Sequence, residues 1–255
     1  MKKGEKLRML LNYYPQGVPL LTHGFAPKRI STQLFYAYKK NKWLYSLGHG
    51  AYMQKGKNPT LYGAVHALQK QAAAPVHIGG LWALYLLGFI SENQRWELFA
   101  SAKYIWPKWF CKRDWRHQLG LYETDFLPQN MGVQQLRING LRIKISNPIR
   151  ALLECLYLAH SHEDILRVFD ILFSIQKLSP MRCQKLLERC NSKRVKRLFL
   201  SMALYSEHSY FLEIDQSNID LGTAKYSKGA AEPQAYCKKY KICLPIEIVY
   251  RDVFD

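Results

Sequence analysis

The 255-residue sequence lacks several features that would assign it to a common class of protein. Its longest nearly apolar run, residues 78–90, is shorter than the roughly 18 residues that a membrane helix needs. The N-terminal residues do not have the pattern of a signal peptide. None of the six cysteines forms a C-x-x-C pair, and their spacings match no common zinc site. These absences favour a cytoplasmic protein with reduced thiols, no membrane association and no metal or other cofactor.

Acidic residues are nearly missing from the N-terminal third. Residues 1–75 carry 12 Lys and Arg against one acid, Glu5, whereas residues 151–255 carry 15 Lys and Arg against 13 acids. The formal net charge of the chain is +18. A basic N-terminal third joined to a nearly neutral remainder favours a nucleic-acid-binding module followed by a second domain. Composition leaves open the alternative that the excess lysine only keeps the protein soluble.

The N-terminal third has the sequence pattern of a winged helix-turn-helix. It predicts three helices and then two short strands, at residues 4–14, 19–23, 30–44, 43–47 and 51–54. Ser31 is placed to cap the third helix, and the Gly48-His49-Gly50 turn joins the strands. At helical spacing, Leu34 and Tyr38 are predicted to face a small core together with Leu44.

The rest of the chain predicts a mixed domain. The predicted elements are a helix capped at Asn58-Pro59, strands at residues 95–104 and 133–145, helices from Asn147 onward and a final strand at residues 242–249. The Ala-Ala-Ala-Pro segment at residues 72–75 is the best candidate for a domain boundary. We therefore predict an α+β protein, with a winged helix-turn-helix domain and its trailing helix at residues 1–75 and a larger mixed α/β domain at residues 76–255.

The outward side of the third helix carries candidate DNA-reading residues. They are Thr32, Gln33, Tyr36, Lys39 and Lys40. Gln33 can pair with adenine through two hydrogen bonds, while Thr32 and Tyr36 can contact bases or phosphate. The predicted phosphate contacts come from Lys28, Arg29, Lys39, Lys40 and Lys42, and His49 is predicted to reach the minor groove or a phosphate. The alternative is an amphipathic helix whose lysine face is only solvated.

Candidate enzymatic sites in the sequence are weak. His160 and His162 could be drawn as metal ligands, but Ser161 capping a helix with an acidic first turn is the better interpretation. Glu213 and Asp215, with Lys225 downstream, loosely resemble the acidic pair and lysine of restriction-type nucleases. The sequence contains none of the common phosphate-binding or nucleophile motifs. We therefore predict that the protein is not an enzyme and has no catalytic residues.

Segments spread over nearly the whole chain resemble one known family. They are residues 30–34, 42–44, 47–52, 77–80, 83–88, 150–154, 190–200, 219–222 and 240–245, of which Cys190–Leu200 is the most specific. Through these segments the sequence resembles AbiEi antitoxins, the transcriptional regulators of AbiE toxin–antitoxin systems. One position departs from the family pattern, because the family's wing tends to carry Arg where His49 stands. This departure implies a weaker or pH-sensitive contact with the groove.

The resemblance implies a bipartite function. The winged domain would bind inverted repeats in double-stranded promoter DNA and repress its own operon, and the C-terminal domain would counteract a cognate nucleotidyltransferase toxin. Type IV antitoxins of this family need not bind their toxin directly. We expect a monomer that binds DNA cooperatively, with dimeric binding left open. The alternatives are an antitoxin that mainly grips the toxin and, less favoured, a metal-dependent nuclease.

A second basic cluster follows the predicted cap Ser192. Its members are Lys193, Arg194, Lys196 and Arg197. Cations in the first turns of a helix oppose the helix dipole, so local helix stability does not explain them. An anionic partner would explain them, whether promoter DNA, tRNA or an acidic toxin surface. The alternative is that Glu188 or a more distant acid offsets the charge.

Overall fold

The structure is α+β, as predicted. The computed structural model describes residues 3–93, 95–175, 177–223 and 233–250. The helices are α1 (Lys3–Asn12), α2 (Thr22–Phe25), α3 (Thr32–Lys40), α4 (Leu61–Lys70), α5 (Gly80–Leu86), α6 (Lys108–Cys111), α7 (Pro148–Leu158), α8 (His162–Ser174), α9 (Pro180–Arg189), α10 (Lys193–Tyr205) and α11 (Ile246–Val249). Within the described ranges, no helix is both long enough and apolar enough to cross a bilayer.

The strands of the described residues form three sheets. They are β1 (Leu20–Leu21), β2 (Leu44–Gly48), β3 (Ala51–Gln54), β4 (Val76–Ile78), β5 (Trp96–Ala100), β6 (Leu119–Glu123), β7 (Val133–Ile138), β8 (Leu141–Ser146), β9 (Gln234–Cys237) and β10 (Ile242–Pro245). The strand orders are β1-β3-β2, β6-β5-β4-β8-β7 and β10-β9. The Asn139-Gly140 turn joins β7 to β8 with both residues at positive φ, as a tight hairpin requires.

The chain folds into two compact units whose segments alternate along the sequence. The first comprises Met1–His77, Leu98–Glu123 and Gln135–Ile145, and the second comprises Ile78–Glu97, Thr124–Gln134 and Ser146–Asp255. Each unit is built from three separate segments of the chain, so the division does not test a single boundary at residue 75, which stays a prediction.

Three helices and the β1-β3-β2 sheet form the N-terminal part of the first unit. Both strand pairs in this sheet are antiparallel. The shared core buries Leu10, Phe25, Ile30, Phe35 and Tyr38. Three helices followed by a hairpin match the element order of a winged helix-turn-helix.

Glutamine side chains tie helix α4 and its C-cap residue to strands β8 and β1. The amide of Gln69 donates to the Lys144 carbonyl at 3.1 Å and accepts from the Lys144 N–H at 2.8 Å. The amide of Gln71 donates to the Pro19 carbonyl at 2.7 Å and accepts from the Leu21 N–H at 2.8 Å. Each amide therefore pairs with main chain as a neighbouring strand would.

In the second unit, helices pack around α7. Helices α5, α8, α9 and α10 contact it, and the β9–β10 hairpin packs on α10 through β10. Each of α7 and α8 buries an apolar stripe, made of Ile149, Leu152, Leu153 and Leu156 on α7 and of Ile165, Val168, Phe169 and Leu172 on α8. Ser192 caps α10 as predicted, accepting a hydrogen bond from the Val195 N–H at 3.3 Å.

Several predicted elements are wrong in detail. The N-cap of α4 is Thr60, whose hydroxyl accepts from the Gly63 N–H at 3.1 Å, and not Asn58. Residues 20–21 pair with β3 as a strand, where a helix was predicted. The predicted last strand ends at Pro245, since proline has no N–H to continue the pairing, and a helical turn follows.

Candidate nucleic-acid interface

Helix α3 is positioned by a capped start and a buried apolar face. The Ser31 hydroxyl accepts a hydrogen bond from the Leu34 N–H, as the sequence predicts. Phe35 and Tyr38 are the buried residues of the helix, whereas Leu34 is only partly buried. The predicted inward face is therefore rotated toward Phe35, because the large aromatic side chain fills the core between Phe25 and Tyr52.

The opposite face of α3 is exposed and polar. Thr32, Gln33, Tyr36, Lys39 and Lys40 are all exposed, and the Tyr36 side chain retains 64% of its accessible surface. Their spacing places them on one side of the helix. Amide, hydroxyl and ammonium groups on one exposed helix face can donate to base edges and phosphates, and residues near the helix start are those that reach bases in helix-turn-helix proteins.

Three more predicted phosphate contacts lie around α3. Arg29 is exposed at the end of the 3-10 turn that follows α2. Lys42 is exposed in the turn after α3, where its N–H donates to the Lys39 carbonyl at 3.0 Å. Lys28 is partly buried, and its ammonium lies 3.5 Å from the centroid of the Tyr13 ring. A cation–π contact thus competes with phosphate for Lys28.

The wing is the β2–β3 hairpin, with His49 exposed at its tip. Gly48 and Gly50 flank this residue at φ +147° and +69°, a region that favours glycine. The strand register shifts between Ser46 and Gly48. The Gly50 carbonyl accepts from the Thr22 N–H at 2.9 Å, which ties the turn to the start of α2. The wing therefore presents His49 from an anchored turn.

Sequence reasoning missed cations that lie beside the wing. Lys108 and Lys112 are exposed, and together with Trp109 and wing residues 46–50 they line an open cleft of about 630 Å³. Trp43, at the base of the wing, is 53% exposed. The lysines are more than 50 residues from the wing in sequence, so helical or strand periodicity could not place them beside it. The only sequence signal for them was the basic composition of residues 103–117.

The structure encloses two members of the C-terminal basic cluster, which corrects the prediction of an anion-binding patch for Lys196 and Arg197. For the partly exposed Lys193 and Arg194 it stays a prediction. Lys196 and Arg197 are each 1% exposed. The Arg197 guanidinium donates to the carbonyls of Leu221, Gly222 and Lys241 at 2.9–3.1 Å. A side chain enclosed in this way is not accessible to an external anion.

The two outer members of this cluster are also engaged. Arg194 donates to the carbonyls of Leu156 and Ala159, which lie at the C-terminal end of α7. Lys193 pairs with the Asp220 carboxylate. Burial lowers the pKa of Lys196, and the Lys193 charge lowers it further. The cluster therefore cross-links α10 to α7 and to residues 220–222, and the carbonyls and carboxylate that receive it lie far away in sequence.

Two family-like segments meet in a buried polar network of the second unit. The Gly80 N–H and the Ser146 hydroxyl donate to the Glu154 carboxylate at 3.0 and 2.7 Å, and Arg150 pairs with the same carboxylate at 2.7 Å. The Glu97 carboxylate accepts from the Leu81 N–H at 2.6 Å. Gly80 has φ +53° and packs against Glu97 without room for a side chain. This network fixes the start of α5.

Burial raises the pKa of Glu97 to about 7. Hydrogen bonds from the Leu81 and Trp82 N–H groups act in the opposite direction, and the Glu154 charge raises the value further. The network thus holds one carboxyl whose pKa is raised into the neutral range. The groups around it serve the packing of α5 on α7.

The weak enzymatic candidates have structural partners. Ser161 caps α8 as predicted and forms a capping box with Asp164, and His162 pairs with Glu247 at 3.1 Å. Asp215 accepts from the Ser217 N–H at 2.9 Å and caps a 3-10 turn, while Lys225 lies outside the described residues. In the described ranges, no group of three or more His, Cys, Asp or Glu could hold a metal ion.

Comparison with solved structures shows the fold. The crystal structure of RV2827C protein from Mycobacterium tuberculosis is similar with a TM-score of 0.58 and 9% identity, over 99% of this chain and 94% of that chain. No curated protein matches the sequence.

Family models match almost the entire chain. Residues 3–92 match the N-terminal domain of the AbiEi antitoxin transcriptional regulators. Residues 93–245 match the model described as transcriptional regulator, AbiEi antitoxin, type IV toxin–antitoxin system. The chain therefore belongs to the AbiEi antitoxin family of transcriptional regulators of type IV toxin–antitoxin systems.

Proposed function

We propose that this regulator binds inverted repeats in its own promoter through α3 and the wing, and thereby represses its operon. The observation that carries the proposal is the exposed face of α3, where Gln33 and Tyr36 stand between cations on a helix anchored by Phe35 and Tyr38. Such a face supplies both base-reading groups and phosphate ligands. The wing tip then contacts the flanking groove or backbone through His49.

The decisive experiment is fluorescence anisotropy with labelled duplexes. The full chain is titrated into the operon's upstream intergenic DNA and into a scrambled duplex of equal length, across a salt series. We expect selective binding to the upstream DNA, with an affinity that falls steeply as salt rises because phosphate contacts release counterions. Equally weak binding to both duplexes would contradict the proposal.

Two substitutions separate reading from positioning on α3. Gln33→Ala removes a side chain that discriminates bases, so the preference for the upstream DNA over the scrambled duplex should fall by about tenfold. Lys39→Ala removes a phosphate ligand, so affinity should fall equally for the upstream and the scrambled duplex. The slope of log affinity against log salt concentration should flatten by about one. If both variants bind like wild type, α3 is not the recognition helix.

We further propose that the same chain counteracts a cognate nucleotidyltransferase toxin, with residues of the C-terminal region carrying this activity. Family membership supports this part. Gln33→Ala and Lys39→Ala, expressed from a constitutive promoter together with the toxin, should rescue growth as wild type does. Loss of rescue in these variants would mean that DNA binding and toxin neutralisation are not separable in this protein.

A further inference from the structure

The first unit carries a second basic surface beside the wing. Lys108 on α6 and Lys112 just after it are exposed, and they share an open cleft of about 630 Å³ with wing residues 46–50. None of the described residues that line this cleft is acidic. Residues 103–117 carry five Lys and Arg against one acid, Asp114. The cleft is therefore a positively charged concavity that includes the wing tip.

This basic segment is fixed against the wing. The Arg113 guanidinium donates to the Leu47 carbonyl at 3.2 Å, linking the segment to strand β2. Gly48 packs on Trp109 so closely that a Cβ added at Gly48 would lie 2.9 Å from the Trp109 Cβ. Trp109 itself is only 5% exposed. The two lysines consequently have a defined position relative to His49.

Fixed cations beside a wing suit the sugar–phosphate backbone. A hairpin that approaches a groove lies between two phosphate-bearing strands, so cations at its flank face one of them. The open cleft gives Lys108 and Lys112 free access to such a strand. Ammonium groups bind phosphate as point charges and read no sequence.

We propose that Lys108 and Lys112 bind the phosphate backbone of duplex DNA next to the site read by α3. This inference rests on the proposed DNA-binding function and enlarges its interface by a segment that the sequence pattern of a winged helix-turn-helix does not include. Arg113 and Trp109 act as positioning residues, because they hold the lysines against the wing.

The test uses the full-length double variant Lys108→Ala/Lys112→Ala. Removal of two phosphate contacts should flatten the log–log salt slope by about 1.8 and lower affinity for operator and scrambled duplexes equally, by about tenfold at low salt. The matched control is Lys177→Ala/Lys238→Ala, which removes the same charge from exposed positions of the second unit. Thermal unfolding of both variants should match wild type.

A shortened duplex gives the second arm. When flanking base pairs are trimmed until only the segment read by α3 and the wing tip remains, wild type and the double variant should bind equally. If the double variant binds the long duplex like wild type while Lys39→Ala is weakened, the inference is overturned and the proposed function stands. An equal loss in the control variant would also overturn it. Failure of wild type to select the operator would instead refute the proposed function.

Discussion

Helices α3 and α10 each carry a cluster of basic residues, at the end of α3 and at the start of α10, and the two clusters differ in exposure. On α3, Lys39 and Lys40 extend into solvent at the end of the helix, whereas on α10, Lys196 and Arg197 are each 1% exposed. The difference lies in what surrounds each helix. Residues 220–222 and 241 cover α10 with carbonyl acceptors and a carboxylate. A basic run in a sequence therefore indicates an anionic partner only when the folded chain does not supply the acceptors itself.

The largest expected effect is the destabilisation caused by replacing Arg197, and its absence would remove the contrast between α10 and α3. Arg197→Ala leaves buried carbonyls without a donor and opens a cavity, so we expect a loss of about 3 to 5 kcal/mol in the free energy of unfolding. Denaturant unfolding followed by circular dichroism measures it. Arg182→Ala, at an exposed position on α9, is the control and should stay within about 0.5 kcal/mol of wild type. Equal stability of the two variants would mean that the Arg197 bonds are not structural.

The buried Glu97 carboxyl of the second unit should make the free energy of unfolding depend on pH, which exposed charged groups should not do to the same extent. Between pH 4.5 and about 7 the folded chain keeps a proton on Glu97 that the unfolded chain has lost, so this group's contribution to stability falls as pH rises through that window. Glu97→Gln removes the titration and retains an acceptor for the Leu81 N–H. Between pH 5 and pH 8, the free energy of unfolding of wild type should fall by about 2 to 3 kcal/mol more than that of the variant.

Urea unfolding at the two pH values measures this difference. Glu92→Gln, which changes an exposed glutamate in the same region, should show the pH dependence of wild type. If Glu97→Gln and wild type respond to pH in the same way, the Glu97 carboxyl is ionised throughout the range.

The salt bridge of α10 should have a small effect. Lys193 pairs with Asp220, but both side chains keep substantial exposure, at 32% and 72%. Exposed pairs contribute little because water and salt screen them, so Lys193→Ala should cost about 0.5 kcal/mol or less. Differential scanning calorimetry should place its melting temperature close to that of wild type. A loss of stability as large as that of Arg197→Ala would show that Lys193 supports the fold as the buried members of the cluster do.

The smallest effect is expected on the exposed side of the comparison. Lys39→Ala should leave the free energy of unfolding within about 0.5 kcal/mol of wild type, since its ammonium is solvated in the free protein. Thermal melts monitored by circular dichroism check this. The same variant should lose DNA affinity, so a marked destabilisation would show that the lysine acts in the fold.

Local features of the interface were predictable because local chemistry determines them. Ser31 caps α3, and the glycines around His49 make the turn, through interactions within four residues. The rotation of α3 toward Phe35 was not predictable from periodicity, since Leu34 and Phe35 are both apolar neighbours of Tyr38. The outward face was nevertheless identified, because a shift of one residue leaves Gln33 and Tyr36 exposed.

Contacts between residues far apart in the chain could not be predicted from the sequence. Arg113 reaches Leu47 across 66 residues, and Gly80 reaches Glu154 across 74. Arg197 finds its carbonyl acceptors at residues 221, 222 and 241. Charge and spacing within one segment contain no information about such partners. This is why the basic cluster of α10 was predicted as a surface and the lysines beside the wing were not predicted.

Gln69 in α4 and Gln71 at its C-cap have a consequence for dissecting the protein. Gln71 completes the hydrogen bonding of β1 in the winged part, while Gln69 pairs with Lys144 in β8. The N-terminal family match ends at residue 92. A fragment cut there keeps every residue of α3 and the wing but leaves the Gln69 amide without Lys144. It also lacks Arg113, whose guanidinium holds β2. If the proposed DNA-binding function holds, isolated N-terminal fragments should therefore bind DNA more weakly than the full chain, and deletion mapping would assign to the C-terminal region a role that belongs to the support of the wing.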